Sequence, residues 1–185
     1  MAQISGRYAL DTLLGQTFIG TTAAAGVVPA IYSSTSPTFG LWNPVGSGKN
    51  VYLMYMTIGY VSTTAAASNF VLGYQAGVGS QAATGSPVTA ATIVAPINGM
   101  IGMGNSSVTK FFPATATLTA GCSLLMSLGT SQLVTTAATT SGNGYFNSYT
   151  DFQGSIIIPP GVLIVVAGNI APLNTVDISL VWEEV

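Results

Sequence analysis

Histidine is absent from this chain of 185 residues, and cysteine occurs once, as Cys122. Without histidine the commonest general base is missing, and with it the Ser-His-Asp and Cys-His arrangements and most zinc or iron sites. A single cysteine excludes an intrachain disulfide. Cys122 has no base or cation beside it in sequence, and its neighbours Leu124, Leu125 and Met126 are apolar, so it reads as a small buried residue and not as a nucleophile. Charge is almost as scarce. Asp, Glu, Lys and Arg make up 4% of the chain, against about 25% in ordinary soluble domains. They are Arg7, Asp11, Lys49, Lys110, Asp151, Asp177, Glu183 and Glu184.

Three cations cannot neutralise the several phosphates on which nucleic-acid binding rests, so no nucleic-acid partner is expected. Net charge also opposes self-association, and a surface this poor in it is expected to be buried against copies of itself or a partner. Long apolar runs are missing too. No stretch of about 18 to 20 residues is free of Gly, Pro or polar interruption; the richest, from Ile156 to Leu173, is broken by Pro159, Pro160 and Gly161 and again by Gly168 and Asn169. No membrane partner is expected. Residues Met1 to Arg7 have no charged region followed by an apolar core, which argues against a secretory signal and for synthesis in a cytosol.

Other chemistry is thinly supported. Gly46 to Asn50 superficially suggests a phosphate loop, but the first glycine of that motif would fall at Asn43, and Asn50 stands where Ser or Thr is needed. It also precedes a strand instead of following one, and reads as a hairpin-type connector. Among five carboxylates only Asp151 and Asp177 lie away from a terminus, and both read as turn or solvent-face residues, not as a glycosidase pair. No catalytic residue and no cofactor is expected. Ser141 to Asp151 combines oxygen ligands with Tyr145, Phe146 and Tyr149, a composition suited to sugar stacking or a weak calcium site, or simply to a long connection packed on a sheet. Trp42, in a loop spanning residues 33–48 rich in Ser, Pro and Gly, reads as an anchor of that loop or of a subunit contact.

What is present in abundance is strand signal. Ile156 to Ile158 is a β-branched run stopped by two prolines, Gly161 supplies a bend, and Val162 to Ala167 resumes as a second apolar run, which predicts two neighbouring core strands. From Val176 the chain alternates: Val176, Ile178, Leu180 and Trp182 share one face, while Asp177, Ser179, Val181 and Glu183 share the other. Trp182 is the predicted core anchor. Val51 to Val61 is the longest run, apolar on both faces, and predicts a central strand covered on each side. Further strands are predicted at Val27 to Tyr32, Asn69 to Gln75, Val88 to Val94, Val108 to Phe112 and Cys122 to Leu128, with no amphipathic helix longer than two turns.

The reading is an all-β protein of about eight strands: a two-sheet antiparallel sandwich of jelly-roll type, since connections are long and nothing repeats at a fixed period. An immunoglobulin-like sandwich is the runner-up, without the cysteine pair that would bracket a tryptophan. Residues 1–26 read as an N-terminal strand or arm, in which the small-residue stretch 15–26 reads as an arm or loop, and 27–185 as a single sandwich domain.

Five stretches together resemble a known group: Gly40 to Pro44, Gly46 to Asn50, the run from Phe70 to Gly77, Ile157 to Gly161, and Ser179 to Glu184. The chain resembles small virion structural proteins of tailed bacteriophages and prophages, from about Arg7 onward. The resemblance implies a capsid decoration (cement) protein with a jelly-roll fold, located in the virion after assembly in the host cytoplasm. Its implied partners are further copies of itself, as a homotrimer, and a major capsid protein or another virion protein. The shared stretches carry turns and strand ends, so no functional residue is transferred. A carbohydrate- or receptor-binding module of a fibre or tail, with Trp42 and Tyr145 as contacts, and a capsid or coat subunit are the alternatives.

Overall fold

In chain order the computed structural model contains α1 (Ala9–Leu13), β1 (Thr17–Thr21), β2 (Gly40–Trp42), β3 (Val51–Ser62), β4 (Ser68–Gln75), β5 (Val88–Ala90) and β6 (Ile97–Asn98). It continues with β7 (Lys110–Phe112), β8 (Thr117–Leu118), β9 (Ser123–Ser131), β10 (Ser148–Ile158), β11 (Leu163–Gly168) and β12 (Thr175–Glu184). The structure describes residues 9–62, 68–75, 87–90, 93–102, 105–131, 148–170 and 174–185.

The longer strands form one wound hairpin. β1 pairs with β12, β2 with β11, β3 with β10 and β4 with β9, each antiparallel. Successive pairs fall in opposite sheets, giving sheet A in the order β10-β3-β12-β1-β6 and sheet B in the order β7-β2-β11-β4-β9. That is a jelly roll: eight principal strands, as the sequence predicts, with β6 and β7 added at one side and a separate pair, β5 with β8. The two five-stranded sheets enclose a core rich in aromatic rings. Trp182, Phe39, Phe70 and Phe111 are fully buried, and the Phe111 ring lies 6.2 Å from Trp182 and 5.1 Å from Phe39.

β12 behaves as its alternation predicts, with Val176, Ile178, Leu180 and Trp182 all buried. β3 does not. Leu53 stands opposite Trp182 and Tyr55 opposite Val181, so Met54 has no partner on β12 and forms a bulge. An extra residue inverts strand parity. Val51 and Leu53 face the core before the bulge, and Met56 and Ile58 after it. Both parities are therefore apolar because the strand changes face midway, not because it is covered on both sides; Tyr52, Tyr55 and Thr57 on its other face are half-buried.

The strand covered on both sides is β11, buried at every residue. Its inner face meets the main core through Ile164 and Val166. Its outer face, Leu163, Val165 and Ala167, packs with Ala116, Leu118 and Cys122 into a second cluster that Tyr32, Trp42 and Val88 flank. Residues 113–122 and Val88, together with residues 32–38, thus lie over sheet B as a cover. Ile156 to Ile158 and Val162 to Ala167, expected as neighbours, sit in opposite sheets: β10 is an edge strand of sheet A and β11 the middle of sheet B. The turn at Pro159 and Gly161 carries the chain across the sandwich. Likewise residues 43–50 join β2 to β3 across sheets and close no hairpin.

Three smaller corrections share one cause, that small or short segments gain their structure from what packs on them. Residues 15–26, read as an arm or loop, include β1, which lies between β12 and β6 and sends Phe18 into the core. Gly20 is small because the Phe111 ring presses on it: a Cβ there would stand 2.7 Å from that ring. Trp42 lies on β2 and not in a loop. The run from Val27 to Tyr32 forms only isolated bridges, Val27 to Val176 and Ile31 to Gly168.

Candidate functional site

The most elaborate polar arrangement lies at one end of the sandwich, where residues 43–50, Ile158 to Gly161 and Glu184 converge. Asn43, fully buried, donates from Nδ2 to the carbonyls of Lys49 (2.8 Å) and Ile158 (2.9 Å), while its main-chain carbonyl accepts the Gly161 amide at 2.7 Å. Asn50 and Val185 exchange backbone hydrogen bonds of 2.9 and 3.0 Å. Residues far apart in the chain are tied there into one corner.

At its centre is Glu184, 1% exposed. Oε1 accepts from the Trp182 indole Nε1 at 3.2 Å, from Thr109 Oγ1 at 3.1 Å, from the Thr109 amide at 3.4 Å and from the Ser107 hydroxyl. Oε2 accepts the Val108 amide at 2.9 Å. The Lys49 ammonium donates to the main-chain carbonyl of Glu184 at 3.1 Å. A buried carboxylate is tolerated only when its lone pairs are met by donors, and here the donors come from the segment 107–109 that leads into β7. Glu184 therefore fastens that segment to the last strand.

A cleft of about 290 Å³ opens beside this point, lined by Gln16, Lys49, Asn105 and Glu184 among others. A second, of about 240 Å³, lies on the other side of Asn105 and is lined by Ile93, Val94 and Lys110. Ser106 lines both, and Ser107, whose hydroxyl donates to the Glu184 carboxylate, lines the second. Glu184 is the one carboxylate in the first cleft, and with four donors on Oε1 it serves as a structural acceptor. Cys122 is buried in the outer cluster with its thiol pushed up to about 11 by burial, far from the thiolate a nucleophile needs. Among the described residues no group of three or more Cys, Asp or Glu side chains could hold a metal ion, and no helix is long and apolar enough to cross a membrane.

The residues singled out from sequence are dispersed. Trp182 is fully buried and stacks on Phe18 at 6.4 Å. Trp42 is half-buried on the outer side of sheet B, its indole N–H shielded from solvent and without a partner. Tyr149 lies on sheet A, 61% exposed, its ring 5.7 Å from that of Tyr55. Trp42 and Tyr149 thus belong to different sheets and share no site. Tyr145 and Phe146 lie outside the described residues. Asp151 is exposed and accepts the Gln153 amide at 3.1 Å; Asp177 is half-buried and accepts from the Thr22 hydroxyl at 3.4 Å, so both are the turn and strand-face residues they read as.

Glu184 is the residue that sequence reasoning passes over, although a signal for it exists. The alternation that places Val176, Ile178, Leu180 and Trp182 inward continues to position 184. No family model matches the chain, and neither a curated protein nor a solved structure matches it.

Proposed function

We propose that this chain is a non-enzymatic structural protein of a virus particle, a decoration-type subunit that associates with its own copies and attaches to a protein shell. The observation that carries the reading is the jelly roll itself, eight strands wound as one hairpin. That architecture recurs in viral capsid proteins, lectins and cupins. A cupin-type metal site is built on histidine, which this chain lacks. The charge-poor composition supports a role in contact with other protein. Mass spectrometry of tailed particles banded from the chain's source decides it: recovery in the particle at tens of copies supports the reading, and recovery only in the particle-free lysate overturns it.

One observation favours a second reading, sugar binding. Tyr149 offers an exposed ring backed by Tyr55, with Asp151 on the same face of β10. Aromatic faces of this kind stack on pyranose rings. A glycan array in which Tyr149→Ala abolishes a specific signal supports that reading; an array without signal removes it.

A further inference from the structure

The described residues leave sixteen large hydrophobic side chains exposed, and seven of them fall in two short segments. Leu10, Leu13 and Leu14 belong to α1 and the turn after it, and are 57%, 51% and 55% exposed. Ile93, Val94, Ile97 and Ile101 lie along and beside β6, with Ile101 at 89%. The two segments are held together. Asn98 Nδ2 donates to the Gly15 carbonyl at 2.8 Å, the Gly99 amide to the Thr17 carbonyl at 2.8 Å, and Asn105 Nδ2 to the Gly15 carbonyl at 3.3 Å. β6 is the outermost strand of sheet A on that side, and the Val94 amide reaches the Phe111 carbonyl of sheet B at 2.9 Å. The seven side chains therefore form one aliphatic band across the β6 side of the sandwich.

We propose that a second copy of this chain docks on this band. Three observations select that occupant. The first is size: seven aliphatic side chains, most at least half exposed, present several hundred Å². That matches or exceeds the roughly 300–600 Å² of the largest apolar patch on a typical monomer, and with the small residues Ala95, Pro96 and Gly102 around it approaches the roughly 800 Å² each partner gives to a standard interface. The second is charge. Lys110 lies at the Ile93 and Val94 end; at the α1 end the carboxylates of Asp11 and Glu183 outnumber the one cation among the described residues, Lys49, whose ammonium is tied to the Glu184 carbonyl at 3.1 Å, with Asn105 between the two clefts. Two copies meeting head to tail place each ammonium against the other copy's carboxylates, so the band is complementary to itself. The third is the short open edge of β6, which charged side chains commonly guard in a free monomer; here its residues are Ile97 and Asn98.

The proposal rests on the reading of a self-associating structural protein, and the experiment separates the two. Sedimentation velocity on the full chain, at about 1 to 100 μM, is compared with Ile101→Asp, Leu13→Asp and the charge reversal Lys110→Glu. These are surface positions, and an unchanged urea midpoint for each variant establishes that the fold is intact. An oligomeric parent, with at least about tenfold weaker association in Ile101→Asp and Leu13→Asp, supports the proposal, as does restoration of Lys110→Glu by Asp11→Lys. Because apolar burial sets the affinity, salt at about 1 M, where the screening length is about 3 Å, weakens association less than tenfold. A parent oligomer that none of the variants disturbs overturns the band as the interface and leaves self-association standing. A monomeric parent overturns both. A monomer whose attachment to shells is lost in Ile101→Asp assigns the band to another virion protein and overturns the second copy.

Discussion

Removing the Glu184 carboxylate should loosen the corner it organises, and the two obvious substitutions should do so for different reasons. In Glu184→Ala the donors that met the carboxylate lose their acceptor. The Thr109 amide and hydroxyl keep the Ser107 hydroxyl oxygen within reach at 3.1 and 2.6 Å, and Ser107 and Val108 are half-buried and can turn to water, so the buried Trp182 indole is the donor left unmet. A buried donor left unmet costs about 1–3 kcal/mol, which sets the expected loss. Against a total of about 5–15 kcal/mol for a domain, that is a sizeable fraction. Glu184→Gln keeps the shape and the Oε1 acceptor but turns an NH2 group toward the Val108 amide, donor against donor, and should cost about 1–3 kcal/mol. Urea unfolding followed by far-UV circular dichroism reads both, and hydrogen exchange at Val108 and Thr109 reads the local effect. Both variants unfolding at the parent's midpoint, with those amides exchanging no faster, would refute the reasoning.

Trp182→Ala should cost about 3–5 kcal/mol from lost packing, because the ring is fully buried between Phe18 and Phe111; a urea midpoint equal to the parent's contradicts it. Glu183 has its carboxyl raised above the ordinary 4.5 by burial, then by the charge of Asp11 and a hydrogen bond with it. The folded state thus holds that proton more tightly than the unfolded chain, so the ionised form penalises folding at neutral pH and the penalty fades as pH falls through the raised value toward 4.5. Glu183→Gln should therefore be more stable than the parent at pH 7, with the difference shrinking on acidification; a difference that grows instead rejects the sign. Gly40→Ala should fail to fold or lose several kcal/mol, since its Cβ would stand 2.3 Å from the Phe112 ring and 2.7 Å from the Ile164 carbonyl. A soluble variant with the parent's thermal midpoint would count against the close approach of β2 to its neighbours.

The fold class was legible because the strands of a sandwich declare themselves locally. β12 keeps Val176, Ile178, Leu180, Trp182 and Glu184 inward, with Val181 alone also buried on the other face, and β4 and β9 lie within a residue or a few of where β-branched and aromatic runs place them. Parity is a poorer guide where a bulge intervenes. In β3 a single residue, Met54, exchanges the faces, and a strand apolar on both parities then looks doubly covered when it is not. β1 was hidden for a different reason: Thr17, Phe18 and Ile19 favour a strand, but the run is short, is cut by Gly20 and is followed by small residues to Gly26, and it continues to Thr21 because β12 and β6 flank it and the Phe111 ring needs the space over Gly20.

The polar corner was out of reach on other grounds. A carboxylate two positions beyond a buried tryptophan, on the same strand face, is a group the core must satisfy, and parity alone points Glu184 inward. What satisfies it cannot be read nearby. Its hydroxyl and amide donors at 107–109 lie about 75 residues upstream, in a stretch whose Gly, Ser and Thr content announces only a loop. The Asn43 bonds to Lys49 and Ile158 span 6 and 115 residues, and each half reads by itself as a turn. Such a corner forms only after the hairpin has wound, when β12 lies against β1 and β3 and the segment before β7 crosses their ends. Loosening it should therefore speed exchange at residues 105–109 before it disturbs the pairing of β12 with β3, and the sheet amides provide the internal control for that order.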